Sequence, residues 1–392
     1  MPYSETNLLV VQPTPFCNID CTYCYLPNRS SKKRLSSETA AIVFEKLFRF
    51  PTIRGAVTIV WHAGEPLVLP VSYYEQMFDL IKSLAPSDLE VYHSFQTNGT
   101  LISDEWCEFI KRWQINVGVS IDGPAQFHDL NRKQRNGSGS FERTFEGLRK
   151  LQRADIPFHV ISVLTVESMA APERLLDFYV DNAIKYVCFN IEEQEGLNSQ
   201  SNLVGSKAPD LQYRDFLERF LHLNVQRNQP VLVREVENSM RSIEYHGREI
   251  RNQQSEPFGI VSVDCEGNVS TFSPELLGLQ HERYGSFSFG NLLQDNFEEI
   301  ARRIDESKLY ADIQLGVKQC AETCAYYGLC GGGAPANKIY ENGSAATTET
   351  VYCRTLMRSV DVMLDLIERI PPDLNSQWVT TGTQLGSLFN RV

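Results

Sequence analysis

Short apolar runs rich in β-branched residues alternate with amphipathic stretches through roughly the first 230 residues, and this alternation restricts the fold more than any other feature of the chain. Strands are predicted near 7–12, 57–61, 90–95, 115–121, 158–165 and 186–191. Helical periodicity falls between and after them, near 37–50, 71–84, 103–113, 141–153, 170–183 and 212–224, with Ser103 before Asp104 and Glu105 as a capped start. Strands joined through helices run parallel, so the pattern predicts six βα units in an α/β fold. Six fall short of the eight that close a barrel, so the sheet stays open on one side. The polar loops at 131–140 and 196–210 read as mobile or substrate-ordered.

From about residue 255 the character changes to short strand-like pieces at 259–263 and 268–272, a Gly/Ser/Phe stretch at 285–290, and a second group of cysteines. The predicted organisation is an α/β unit over 1–235, a linker over 236–255, a second module over 256–365 and a weakly patterned tail over 366–392. The chain starts a few residues before its first predicted strand, so no separate recognition domain is expected there.

Ten cysteines would suit a disulfide scaffold, but most fall at 17–24 and 320–353 with metal-like spacing, which fits a reducing cytoplasm better. No targeting segment or membrane span is read, and a formal charge of −12, spread along the chain, argues against nucleic acid as partner. An acidic surface tolerates a basic peptide.

Cys17, Cys21 and Cys24 follow the first strand with three and two residues between them, a spacing that fits three corners of an iron–sulfur cube. Each iron of a [4Fe–4S] cluster normally takes one thiolate, so a three-thiolate loop leaves one iron for a substrate or cofactor. A zinc loop needs a fourth Cys or His nearby, and none lies between Pro13 and Lys33.

The segment Cys17-Asn18-Ile19-Asp20-Cys21-Thr22-Tyr23-Cys24 resembles the signature of radical S-adenosylmethionine (SAM) enzymes, including the aromatic Tyr23 before the third cysteine. The resemblance implies a partial (β/α)6 barrel, with SAM chelated to the open iron through its amino and carboxylate groups. Trp61-His62-Ala63-Gly64-Glu65-Pro66 resembles the Gly-Gly-Glu-Pro turn of that family, with Ala63 in the first Gly position. Gly64 and Glu65 would then meet the methionine ammonium. Asn98 and Asp122 end the third and fourth strands, where such folds place active sites, although turn chemistry accounts for them equally well. By the same resemblance Ser120 binds the ribose and Arg132 approaches the SAM carboxylate or ribose.

Cys320, Cys324, Cys330 and Cys353, with Gly331-Gly332-Gly333 after the third, resemble the SPASM module of peptide-modifying radical SAM enzymes. That module usually holds two auxiliary clusters; two of its cysteine positions are Phe272 and Ala334 here. One auxiliary cluster on the four surviving thiolates is therefore expected, with a zinc site as the alternative. Cys107, Cys188 and Cys265 read as ordinary buried thiols.

Asn190, Glu192, Glu193 and Glu195 sit at the mouth of the sixth strand. Glu192 shares the parity of Asn190 and faces the same way, whereas Glu193 and Glu195 read equally as a solvated loop. This run, with Ser270 to Gly278 and the single auxiliary cluster, resembles the Grr-type cyclophane-forming maturases. These join an aromatic ring carbon to the Cβ of a residue two positions on in a precursor peptide. The resemblance implies Glu192 or Glu275 as the proton acceptor, a nearby cluster as electron acceptor and a separate reducing donor. Sulfatase-maturase-like oxidation or thioether formation on a peptide is the second reading, the sulfatase maturase weakened by Ser273 where an Asp is usual. A non-catalytic electron-transfer or zinc scaffold is the third.

Overall fold

The computed structural model describes residues 3–228, 230–244 and 252–369. Among these, ten strands make one sheet: β1 (Leu8–Val11), β2 (Ala56–Trp61), β3 (Glu90–Thr97), β4 (Asn116–Ser120), β5 (Phe158–Leu164), β6 (Tyr186–Ile191), β7 (Leu232–Val233), β8 (Ile260–Val263), β9 (Asn268–Thr271) and β10 (Gly290–Asn291). The spatial order is β10, β9, β8, β1, β2, β3, β4, β5, β6, β7. Every pair from β8 to β7 is parallel, and at the other edge β9 runs antiparallel to both its neighbours, β8 and β10.

All six predicted strands form within two residues of their expected ends, and helices Ser37–Leu47, Val71–Leu84, Asp104–Trp113, Phe141–Arg153, Pro172–Asp181 and Pro209–Gln226 follow them. Ser103 caps its helix by accepting from the Trp106 amide at 3.3 Å, and Ser36 accepts from the Thr39 amide at 3.1 Å. Leu9, Val10 and Val11 are buried on both faces of β1, the reason this run lacks polar alternation. Trp61, Tyr74, Phe78, Phe95 and Phe109 fill the space between sheet and helices, with the Phe78 ring stacked on His93 at 3.8 Å.

Three expectations change. The boundary drawn at residue 256 is not a break in the sheet: β8 pairs in parallel with β1, Leu8 opposite Ile260 and Val11 opposite Val263. Three apolar residues and the buried Ser262 make up this strand against β1, and nothing local in them names their neighbour. The linker read over 236–255 begins inside a helix, Arg234–Glu244. Its polar sequence hid it, because Glu235 and Glu237 are buried; Glu235 accepts from the Phe189 amide at 2.9 Å and pairs with Arg234. The loop at 131–140 carries a strand, Arg132–Gln134, that pairs antiparallel with Ile19–Cys21 and so braces the first cysteine segment.

Helices Phe297–Asp305, Lys308–Thr323, Pro335–Asn342 and Val351–Arg369 complete the described chain. The last packs on Pro209–Gln226, where Arg358 meets Asp210 at 2.8 Å and Tyr213 meets Ser359 at 3.0 Å. The predicted tail lies outside the described residues beyond Arg369. Among the described residues, no helix is long and apolar enough to cross a membrane.

Candidate active site and a second cysteine cavity

The C-terminal ends of β1 to β6 open onto one cavity of about 240 Å³. Its wall contains Cys17, Cys21, Cys24, Tyr23, Gly64, Glu65, Asn98, Ser120, Arg132, Glu192 and Glu275, so eleven residues singled out from sequence meet at one place. Asp122 alone of the expected set stands behind the wall.

The cysteine segment is held from several sides. Arg135 Nε donates to the Cys17 carbonyl at 2.7 Å, Arg29 pairs with Asp20 at 2.6 Å, and Asn98 Nδ2 donates to Asn18 Oδ1 at 2.8 Å and toward Cys17 Sγ at 3.8 Å. Burial pushes the Cys17 thiol up to about 12 and Cys21 to about 11. A group bound here must displace those protons.

Gly64 has φ of +150°, and a Cβ there would lie 2.1 Å from the Thr14 carbonyl oxygen, so this turn presses directly on the segment leading to Cys17. Glu65 spends both oxygens on protein donors: Oε1 accepts from Leu67 N at 3.0 Å and Thr97 Oγ1 at 2.7 Å, and Oε2 from Asn98 N at 2.8 Å. It therefore ties the end of β2 to the end of β3. Burial outweighs these three bonds and pushes the carboxyl up to about 7.

Ser120 Oγ accepts from Gln96 Nε2 at 3.0 Å, and both residues face the cavity. Asp122 accepts from the Tyr23 hydroxyl, from Val163 N at 2.9 Å and pairs with Arg132 at 3.0 Å. Thus Arg132, expected to approach a cofactor, has its charge met from within the protein.

The far wall is acidic. Glu192 is 8% exposed, burial raises its carboxyl, and its Oε2 has no hydrogen-bond partner among the described residues. Glu193 and Glu195, which read equally as solvated loop, also line the cavity beside Glu275. Burial raises all three carboxyls, and for Glu193 and Glu195 their neighbours' negative charge adds to it. Sequence reasoning missed Tyr25 and His62, whose hydroxyl and Nε2 lie 3.4 Å apart on this wall. Tyr25 directly follows Cys24, and His62 lies in the Trp61–Pro66 turn just past its strand; those positions were the available signal.

Cys320, Cys324, Cys330 and Cys353 line a second cavity of about 330 Å³. Donors are aimed at three of the sulfurs: Lys338 Nζ at Cys320 (3.4 Å), the Gly332 and Gly333 amides at Cys330, and the Thr350 amide at Cys353 (3.2 Å). Gly331, Gly332 and Gly333 all have positive φ, the conformation that brings successive amides onto one sulfur. Among the described residues, no three Cys, His, Asp or Glu side chains converge closely enough to hold a single metal ion. Phe272 is sealed in the apolar core and stacked on Tyr310, and the buried Cys265 lines neither cavity.

Residues 11–179 match the family model described as Radical SAM superfamily. Over 372 residues, 93% of each chain, the protein is 42% identical to an uncharacterized protein of Synechocystis sp.. This chain belongs to the radical SAM superfamily. It is therefore an enzyme of radical chemistry, and the family implies SAM and a [4Fe–4S] cluster as its cofactors. This radical SAM enzyme is 31% identical over 195 residues to the serine-type anaerobic sulfatase-maturating enzyme of Bacteroides thetaiotaomicron, a stretch covering 48% of this chain and 47%, about half, of that enzyme. Its fold is similar to anSMEcpe with bound AdoMet (TM-score 0.74, 19% identity, 95% of this chain and 98% of that one). It is also similar to Streptococcus suis SuiB bound to precursor peptide SuiA (TM-score 0.60, 17% identity, 89% and 76%).

Proposed function

We propose that this enzyme modifies a ribosomally made precursor peptide, joining an aromatic ring carbon to the Cβ of a nearby residue as the Grr-type maturases do. The six βα units are read as a partial (β/α)6 barrel and residues 256–365 as a SPASM-type module. The observation that carries the reading is the pairing, across one cavity, of a three-thiol wall with the acidic wall of Glu192, Glu193, Glu195 and Glu275.

Cys17, Cys21 and Cys24 would hold the first cluster, with SAM against Gly64, Asn98 and Ser120. When bound, these groups supply a 5′-deoxyadenosyl radical that takes a hydrogen atom from substrate. The chain's own part is to orient the peptide between the strand ends and the acidic wall and to exclude water from it. Glu192 takes the proton that the ring carbon loses on closure; its raised carboxyl makes it a stronger base than an exposed glutamate. Glu275 is the other base within the same wall. Cys320, Cys324, Cys330 and Cys353 would hold one auxiliary cluster. Donors aimed at sulfurs suit thiolate ligands, and the radical SAM context favours a cluster over zinc on them. The reading also takes in a reducing cytoplasm and a separate one-electron donor.

Oxidation of a peptide side chain, as in sulfatase maturation, is favoured by the partial relationship to the Bacteroides enzyme and by the likeness to anSMEcpe, a structure also described with Kp18Cys peptide bound. Ser273, buried where an Asp is usual, counts against it. Co-expression with a candidate precursor peptide tests both. A product two hydrogens lighter, without a free aldehyde and resistant to fragmentation between the joined residues, is expected. A hydrazine-reactive aldehyde would establish the second reading, and no deoxyadenosine from SAM and dithionite would remove both.

A further inference from the structure

Lys338 lies on helix Pro335–Asn342, just past the triple glycine, and is 3% exposed. Among the described residues no carboxylate pairs with its ammonium, and its side chain has one hydrogen-bond partner, Cys320 Sγ at 3.4 Å. A buried ammonium needs a counter-charge, and a neutral thiol does not provide one. A sulfur carrying negative charge does. The preceding residue faces the other way: Asn337 Nδ2 donates to Glu193 Oε2 at 2.6 Å, in the wall of the first cavity. Two consecutive residues thus join the second cysteine cavity to the proposed substrate cavity.

We propose that Lys338 is a positioning residue for the auxiliary cluster, its buried ammonium against the Cys320 sulfur raising the cluster's reduction potential. This rests on the reading of the four cysteines as a cluster site. On reduction the cluster takes up one electron and becomes one charge more negative, with no bond made or broken and no proton moved. An ammonium against a ligand sulfur attracts the reduced state more than the oxidised one, because the interaction grows with the charge it meets. The electron it favours accepting is the one that the substrate radical releases when the ring is restored after closure.

The test uses the full chain, reconstituted anaerobically, with Cys17, Cys21 and Cys24 replaced by Ala so that a single cluster remains. Iron content and the midpoint potential from an EPR-monitored titration are measured with Lys338, Lys338→Met, Lys338→Gln and Lys338→Arg. The expected result is a lower midpoint potential in the Met and Gln variants and a value near the parent's in the Arg variant. Loss of iron in Met and Gln with retention in Arg also bears out a positive charge that the loaded cluster needs beside it. Equal potentials in all loaded variants would overturn the inference while leaving the cluster reading intact. Failure of all three variants to load, the charge-conserving one included, would overturn it too, since the side chain would then matter for shape. No iron in the parent would remove the cluster reading, and the inference with it.

Discussion

The guanidinium of Arg132 meets the carboxylate of Asp122 at 3.0 Å with both side chains almost sealed from solvent, 8% and 3% exposed, beneath the ring of Tyr23. The pair locks the strand that braces the cysteine segment to the end of β4. Removing the carboxylate leaves a buried cation without a counter-charge, which typically costs about 3–5 kcal/mol. Asp122→Asn should therefore lower the thermal midpoint strongly, and Asp122→Asn with Arg132→Met should recover part of the loss. A double variant no more stable than Asp122→Asn alone would show that the ion pair is not the source of the cost.

Iron counting separates the two cysteine sets. The reconstituted chain should hold about eight iron atoms, and replacing either set with Ala should leave about four. Replacing Cys17, Cys21 and Cys24 should abolish deoxyadenosine formation, whereas Cys330→Ala should retain it. A value near twelve would place a further cluster where Phe272 and Ala334 argue against one.

The buried histidines contribute a stability that acid removes, opposed in the same range by the buried carboxyls whose raised values make the folded state take up protons first. Burial lowers His62 and His159 to about 4 and His93 and His128 to about 3. Below about pH 6.5 the unfolded chain takes up protons that these folded imidazoles refuse, so their contribution is complete above that pH and is lost as pH falls toward the folded values. Each imidazole contributes a slope of about 1.4 kcal/mol per pH unit in that window. His93→Gln should reduce the slope of unfolding free energy against pH by about that amount, measured by denaturant titration between about pH 6.5 and pH 4.5. An unchanged slope would mean that His93 charges without unfolding.

Glu192→Gln retains shape and removes the base. Hydrogen abstraction precedes proton loss, so deoxyadenosine should still form while ring closure falls on the order of a hundredfold or more. Normal closure would transfer the role to Glu275 or water. Loss of both products would make Glu192 a positioning residue.

Much of this was legible in advance where the signal is local. Ser103 caps its helix because the backbone donors it satisfies lie within three residues, and β1 to β6 follow from runs whose burial depends on their own apolarity. The cysteine spacings work the same way, since three or four sulfurs near one group must be brought there by short loops. Helix Arg234–Glu244 was illegible because Glu235 and Glu237 spend their charge inside the protein, where a polar pattern reads as surface.

The sequence by itself therefore determined the βα repeat, the strand-end residues and both cysteine sets, all consequences of forces acting over a few residues. Only the tertiary structure decided that Ile260 to Val263 would join β1, that Glu275 would stand beside Glu193 and Glu195, and that Lys338 would meet Cys320. Those meetings depend on which buried surfaces and charges the folded chain leaves for one another, and no single segment carries that information.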